Sequence, residues 1–284
     1  MVGRRMKVIL TTEDEQLLMD IHTHIYLDFE YVRMKNYPNH KEKSVYARLA
    51  KLEKENYIKS ERHPVASIRG KRRRSGNGSN IYTLDKYGVE MVRELRGEVH
   101  WNYKWSNRVA TFVYHSLMLA HVECAMLEQS KADIPIGIKE WINEARGTFQ
   151  YDKNKSAVIR PDGLAVIGLK NKIEGNYGLF LEMERTYGTK EVIEKKLRRY
   201  NDFLSREVSV KKYDRYAGLT YPIEKWRLIF IAGNEGRQKE LLRYMQEMES
   251  PQVPVYVVMF EEVLQNPFGA IYRNIENPKE KVRL

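Results

Sequence analysis

One cysteine, Cys124, occurs in 284 residues. An intramolecular disulfide and a multi-cysteine zinc site are therefore excluded, and a reducing cytoplasm is the expected setting. Long apolar runs are missing too: no stretch of about 18 apolar residues and no signal-peptide core is present, which argues against a membrane partner. The least charged run, Val109 to Val122, holds two histidines and reads as a buried helix. No Gly-rich turn ends in Gly-Lys-Ser/Thr, so ATP-driven action would need a partner. Acid is scarce: 38 Asp and Glu stand against 49 Lys and Arg, a formal net charge of +11. A chain this basic has an electrostatic reason to seek a polyanion, nucleic acid above all.

The length suits two domains of moderate size, and the patterning places them at 1–98 and 99–284. Thr11-Thr12-Glu13-Asp14-Glu15 has the hydroxyl cap and acidic first turn of a helix start, and a helix over about 11–24 follows. A short helix is expected at 27–34 and a third from Lys41, where Val45, Leu49 and Leu52 recur at helical spacing. Ser44, Tyr46, Arg48 and Lys51 are left on or beside the opposite face. Two strands, 57–61 and 80–84, then flank the tip Arg69-Gly70-Lys71-Arg72-Arg73-Arg74. Residues 59–86 carry eight Lys/Arg against two Asp/Glu, 8 − 2 = +6, so the basic excess of this half sits in that hairpin. His22-Thr23-His24 superficially suggests the paired histidines of a nickase, but the two rings fall on a predicted helix and about 200° apart, which does not make a metal pair.

In the second half, residues 157–167 and 178–184 alternate as strands around the turn-like run Lys170 to Asn176 and read as an antiparallel hairpin. Successive side chains alternate faces, so Glu182 and Glu184 share one face while Leu181 and Met183 take the other. With the turn centred near Lys172, Asp162 lies opposite Glu182. Asp162, Glu182 and Glu184 then converge where a hard cation such as Mg²⁺ or Mn²⁺ would sit. The competing reading is a half-exposed hairpin with a solvated acidic face and cross-strand ion pairs. A helix at 107–129, a strand at 136–146, a helix at 189–204, a strand at 227–232, a helix at 236–248 and a strand at 253–260 complete the predicted order.

Ser44-Val45-Tyr46-Ala47-Arg48-Leu49-Ala50-Lys51-Leu52-Glu53-Lys54-Glu55-Asn56-Tyr57-Ile58 resembles the recognition helix and strand entry of winged helix-turn-helix proteins. The later element order is similar to the PD-(D/E)xK nuclease-like fold. Asp162 of Arg160-Pro161-Asp162 stands at its "PD" and Glu182 at the first acid of its "(D/E)xK"; the lysine position two residues on is Glu184, an acid. That resemblance implies that the cation comes from elsewhere. Lys196, on the next helix, is preferred over Arg185 because some members of the fold supply the lysine from that helix. Taken in order with Tyr114-His115-Ser116-Leu117-Met118-Leu119-Ala120-His121 and Lys196-Leu197-Arg198-Arg199-Tyr200, these segments resemble the replication-relaxation family from about Thr11 to Phe260.

The fold expected is α+β, an N-terminal winged helix-turn-helix followed by a PD-(D/E)xK nuclease-like mixed sheet flanked by helices. The resemblance implies a DNA-binding protein of plasmid or mobile-element replication or relaxation, either a metal-dependent nickase or a non-catalytic regulator whose second domain serves dimerisation or DNA clamping. In the first case Asp162 and Glu182 bind Mg²⁺ or Mn²⁺, Glu184 assists and Lys196 steadies the phosphate. Double-stranded DNA is the expected partner, met by Ser44, Tyr46, Arg48 and Lys51 in the major groove and by Arg69, Lys71, Arg72, Arg73 and Arg74 on the backbone. A homodimer through helix 107–129, and contact with replication or mobilisation proteins, are left open.

Overall fold

The computed structural model describes residues 8–63, 68, 79–97, 101–185, 188–248 and 251–284. It divides into two compact units, Met1–His121 and Val122–Leu284. The first runs α1 (Thr12–His24), β1 (Leu27–Asp28), α2 (Phe29–Tyr31) with a π turn Val32–Asn36, α3 (Glu42–Lys54), β2 (Ile58–His63), β3 (Ser79–Leu84) and α4 (Lys86–Arg96). Its strands form a small sheet in the order β1-β3-β2. The expected helix at 27–34 begins two residues late, because Leu27 and Asp28 pair with Tyr82 and Ile81 as an edge strand. Asp28 then caps α2, accepting from Tyr31 N at 2.8 Å.

The helical starts follow their caps. Thr11 and Asp14 form a reciprocal capping box on α1. Val45, Leu49 and Leu52 of α3 are all buried, as their spacing requires. Residues 101–121 pack on this unit: the Tyr26 hydroxyl donates to Trp105 O and accepts from Arg108 N, and His121 Nε2 lies 3.0 Å from Asp28 Oδ2. His121 is the satisfied core histidine its apolar setting suggests.

The helix α5 (Ala110–Ser130) spans the division between the units. Among the described residues it alone is long and apolar enough to cross a membrane, yet most of it is buried within the protein. Cys124 lies buried on it.

The second unit continues with β4 (Ile136–Asn143), α6 (Glu144–Gly147), β5 (Phe149–Gln150), β6 (Val158–Ile159), β7 (Gly163–Leu169), β8 (Asn176–Glu184), α7 (Lys190–Leu204), α8 (Glu207–Tyr216), β9 (Ile223–Ala232), α9 (Glu235–Gln246), β10 (Val255–Met259), α10 (Phe260–Gln265) and β11 (Arg273–Asn274). Six strands make one mixed sheet in the order β11-β10-β9-β8-β7-β4. β4, β7 and β8 are antiparallel neighbours, and β8, β9 and β10 are parallel. Parallel strands need crossover connections, which the helical segments between β8 and β9 and between β9 and β10 provide.

Both faces of β8 are buried, so its run of apolar side chains is that of a central strand. One face carries Phe180, stacked on Trp226 at 4.5 Å, and packs against Ile193, Leu197 and Phe203 of α7. That stack adds about 0.5–1.5 kcal/mol beyond area burial. The expected strand 157–167 is interrupted at Arg160-Pro161-Asp162: proline cannot donate to a ladder, and β6 turns away to pair with β5. The helix α8 is absent from the predicted order; Tyr213 is its one fully buried anchor.

Candidate functional site

Antiparallel pairing of Gly163 with Leu181 sets Asp162 opposite Glu182 at the ends of β7 and β8. The two segments are tied here by Asp162 N to Leu181 O at 3.0 Å and by Met183 N to Asp162 Oδ2 at 2.7 Å. Pro161 and Gly163 on either side shape this crossing. A Cβ at Gly163 would lie 3.0 Å from the Trp141 ring, so any larger residue would push that ring back by a few tenths of an ångström.

Glu182 and Glu184 do share a face, and that face is covered. Their residues are 2% and 7% exposed, which removes the reading of a solvated acidic face. α7 supplies the partners from one stripe, Lys196 and Tyr200, a turn apart. Lys196 Nζ stands 2.7 Å from both Glu182 Oε2 and Glu184 Oε1. The Tyr200 hydroxyl donates to Glu182 Oε1 at 2.5 Å. From α9, Arg237 donates to Glu184 Oε2 at 2.8 Å.

Burial, then the negative charge of Asp162, pushes the Glu182 carboxyl up to about 7 against the pull of Lys196 and Tyr200. Burial works to discharge Lys196, but the charges of Glu182, Asp162 and Glu184 outweigh it and hold the amine protonated. The Tyr200 hydroxyl is pushed well up by burial beside Glu182. The three shifts describe one cluster, in which Glu182 lies buried beside another acid and shares the Lys196 ammonium with its neighbours.

A divalent cation fits part of this site. Glu182 Oε2 is buried and, apart from the Lys196 ammonium 2.7 Å away, accepts no hydrogen bond among the described residues. Beside Asp162 it offers hard oxygen donors. The three-carboxylate cluster expected from the sequence does not form: among the described residues no group of three or more His, Cys, Asp or Glu is placed to hold a metal. Each oxygen of Glu184 faces a cation, one Lys196 and the other Arg237.

In the first unit, Ser44 and Lys51 lie exposed on α3 with Lys43, Ala47 and Lys54. Tyr46 is half-buried, stacked on Phe29 at 3.8 Å. Arg48 is turned back into its own unit: Nε donates to Asp14 Oδ1 at 2.9 Å, a second nitrogen pairs with Asp14 Oδ2, and it also reaches Ile9 O at 2.7 Å. Arg69, Lys71, Arg72, Arg73 and Arg74 lie outside the described residues.

Tyr200 and Arg237 were missed by sequence reasoning. Tyr200 is hidden in the apolar stripe of α7. Arg237 had a signal: a cation in the first turn of a helix opposes the macrodipole, so it implies an acid nearby.

These observations define a two-unit α+β protein, a helical unit with a β-hairpin and a mixed sheet bearing a buried carboxylate–lysine site. The sequence matches the replication-relaxation family over residues 18–220, and the chain belongs to that family. Comparison with curated proteins gave no match. Among solved structures, the restriction endonuclease FokI is similar at 15% identity and a TM-score of 0.33, covering 91% of this chain and 45% of that one. FokI bound to DNA is similar at 12% identity and a TM-score of 0.30, covering 89% and 43%. The chain thus spans under half the length of either.

Proposed function

We propose that this protein binds double-stranded DNA in plasmid or mobile-element replication or relaxation in the cytoplasm, and that its second unit is a metal-dependent nickase. One observation carries the reading: Asp162 faces Glu182 across β7 and β8, with the Lys196 ammonium 2.7 Å from the Glu182 oxygen. Asp162 and Glu182 would hold Mg²⁺ or Mn²⁺. Such an ion, when bound, supplies positive charge to a phosphodiester and a more acidic water. Lys196, kept protonated by its three acids, steadies negative charge on phosphorus and does not serve as a base. Tyr200 orients Glu182 through its hydroxyl. The first unit acts as a winged helix, offering Ser44 and Lys51 to the groove and the basic hairpin tip to phosphates. Arg48, committed to Asp14, braces α3 against α1 and leaves the groove to its exposed neighbours.

A second reading rests on Glu184. Its two oxygens are satisfied by Lys196 and Arg237, so this acid is paired from within, as in a regulator whose second unit clamps DNA or pairs with a second copy. Thermal melting separates the two. The nickase reading expects Mg²⁺ or Mn²⁺ to raise Tm, and Asp162→Ala to abolish the rise; no rise in the wild type contradicts it.

A further inference from the structure

Arg237 is 1% exposed and sits in the first turn of α9, where a cation is unfavourable unless acids surround it. Its guanidinium reaches three places. One nitrogen donates to Glu184 Oε2 at 2.8 Å; the other donates to Glu240 Oε2 at 2.7 Å and to Gly188 O at 3.0 Å, just before α7 begins. A Cβ at Gly188 would lie 3.2 Å from the Arg237 guanidinium and 3.6 Å from Glu184 Oε2, so the backbone closes tightly over the pair. The opposite oxygen of Glu184 holds Lys196 at 2.7 Å.

The geometry points to Arg237 and Glu184 as positioning residues that fix the Lys196 ammonium at Glu182, so that the acid at the lysine position of the strand recruits its cation from α7. This rests on the role proposed for Lys196. A carboxylate free to rotate could face Lys196 with either oxygen. With Oε2 held by a planar, rigid donor, only Oε1 is presented, and Lys196 is drawn to the one spot within reach of both acids. Gly188 O ties the entry of α7 to the same guanidinium, so the helix that carries Lys196 is set by the same side chain.

The test compares chemical labelling of Lys196 with that of its exposed neighbour Lys195 in one sample, using acetic anhydride on metal-free protein at fixed pH and reading both by mass spectrometry. Wild type, Glu184→Gln and Arg237→Lys are compared; the glutamine is nearly isosteric and guards against loss of the fold. The Lys196/Lys195 ratio is expected to rise about tenfold in Glu184→Gln and several-fold in Arg237→Lys. A ratio within about twofold of wild type in both variants overturns the proposal. A rise in Glu184→Gln alone removes Arg237 from it. Nicking assays add a second readout: Arg237→Lys should lower kcat at unchanged KM for DNA. If the wild type does not nick at all, the nickase reading fails while the labelling result still decides the clamp.

Discussion

Lys196 Nζ stands 2.7 Å from Glu182 Oε2, although twelve residues and a helix start separate Lys196 from the strand position where a lysine would be looked for. Lys196→Met removes the cation and leaves two buried carboxylates facing one another across the same site. Breaking a buried pair in this way costs about 3–5 kcal/mol; because the Lys196 side chain is 30% exposed, the lower end is expected. Chemical denaturation should show the loss, and Lys196→Arg should recover part of it. Equal stability of Lys196→Met and wild type would contradict the placement of the ammonium.

The raised Glu182 carboxyl has a pH consequence. Its ordinary value is 4.5 and the folded value about 7, so between those values the folded protein binds the proton more tightly than the unfolded chain does. Stability then falls as pH rises through this window and levels off above it, by at most about 3.4 kcal/mol. Glu182→Gln lacks the fall. In EDTA, the variant should melt close to wild type near pH 5 and higher than wild type at pH 8; a gap that does not change with pH contradicts the assignment.

Asp14 behaves in the opposite sense. Burial works to raise its carboxyl, but hydrogen bonds from Arg48, Thr11 N and Tyr37 outweigh it and hold it below the usual 3.8. The pair therefore contributes stability above that value and loses it as pH falls through the lower folded value. Arg48→Ala should lower Tm at pH 7, while changing the salt slope of DNA binding less than Lys51→Ala does. A larger slope change for Arg48 would make it a phosphate contact instead.

Replacing Arg72, Arg73 and Arg74 together by Ala tests the hairpin tip. If each meets a phosphate, the slope of log K against log salt becomes shallower by about 2.7. An unchanged slope takes the tip out of the interface.

The periodic parts of this fold were legible. α1 announced itself by its cap, α3 by Val45, Leu49 and Leu52, and the hairpin register placed Asp162 opposite Glu182 from side-chain period and turn position alone. What sequence did not reveal was set by tertiary packing. Period 2 separates the two faces of β8 but does not say which is covered, and both are. α8 carries one buried tyrosine in a polar sequence, too little for a helical stripe to emerge. Tyr200 and Arg237 reach Glu182 and Glu184 from other elements, and no local pattern links α9 to the end of β8.

The most direct measurement is incubation of the purified protein with supercoiled plasmid carrying its own upstream DNA, in Mn²⁺ or in EDTA, beside Glu182→Ala. The account predicts open circles that need the metal and are lost in the variant. Tight binding without cleavage in either condition would contradict it and leave the carboxylate–lysine site as the internal brace of a DNA-binding regulator.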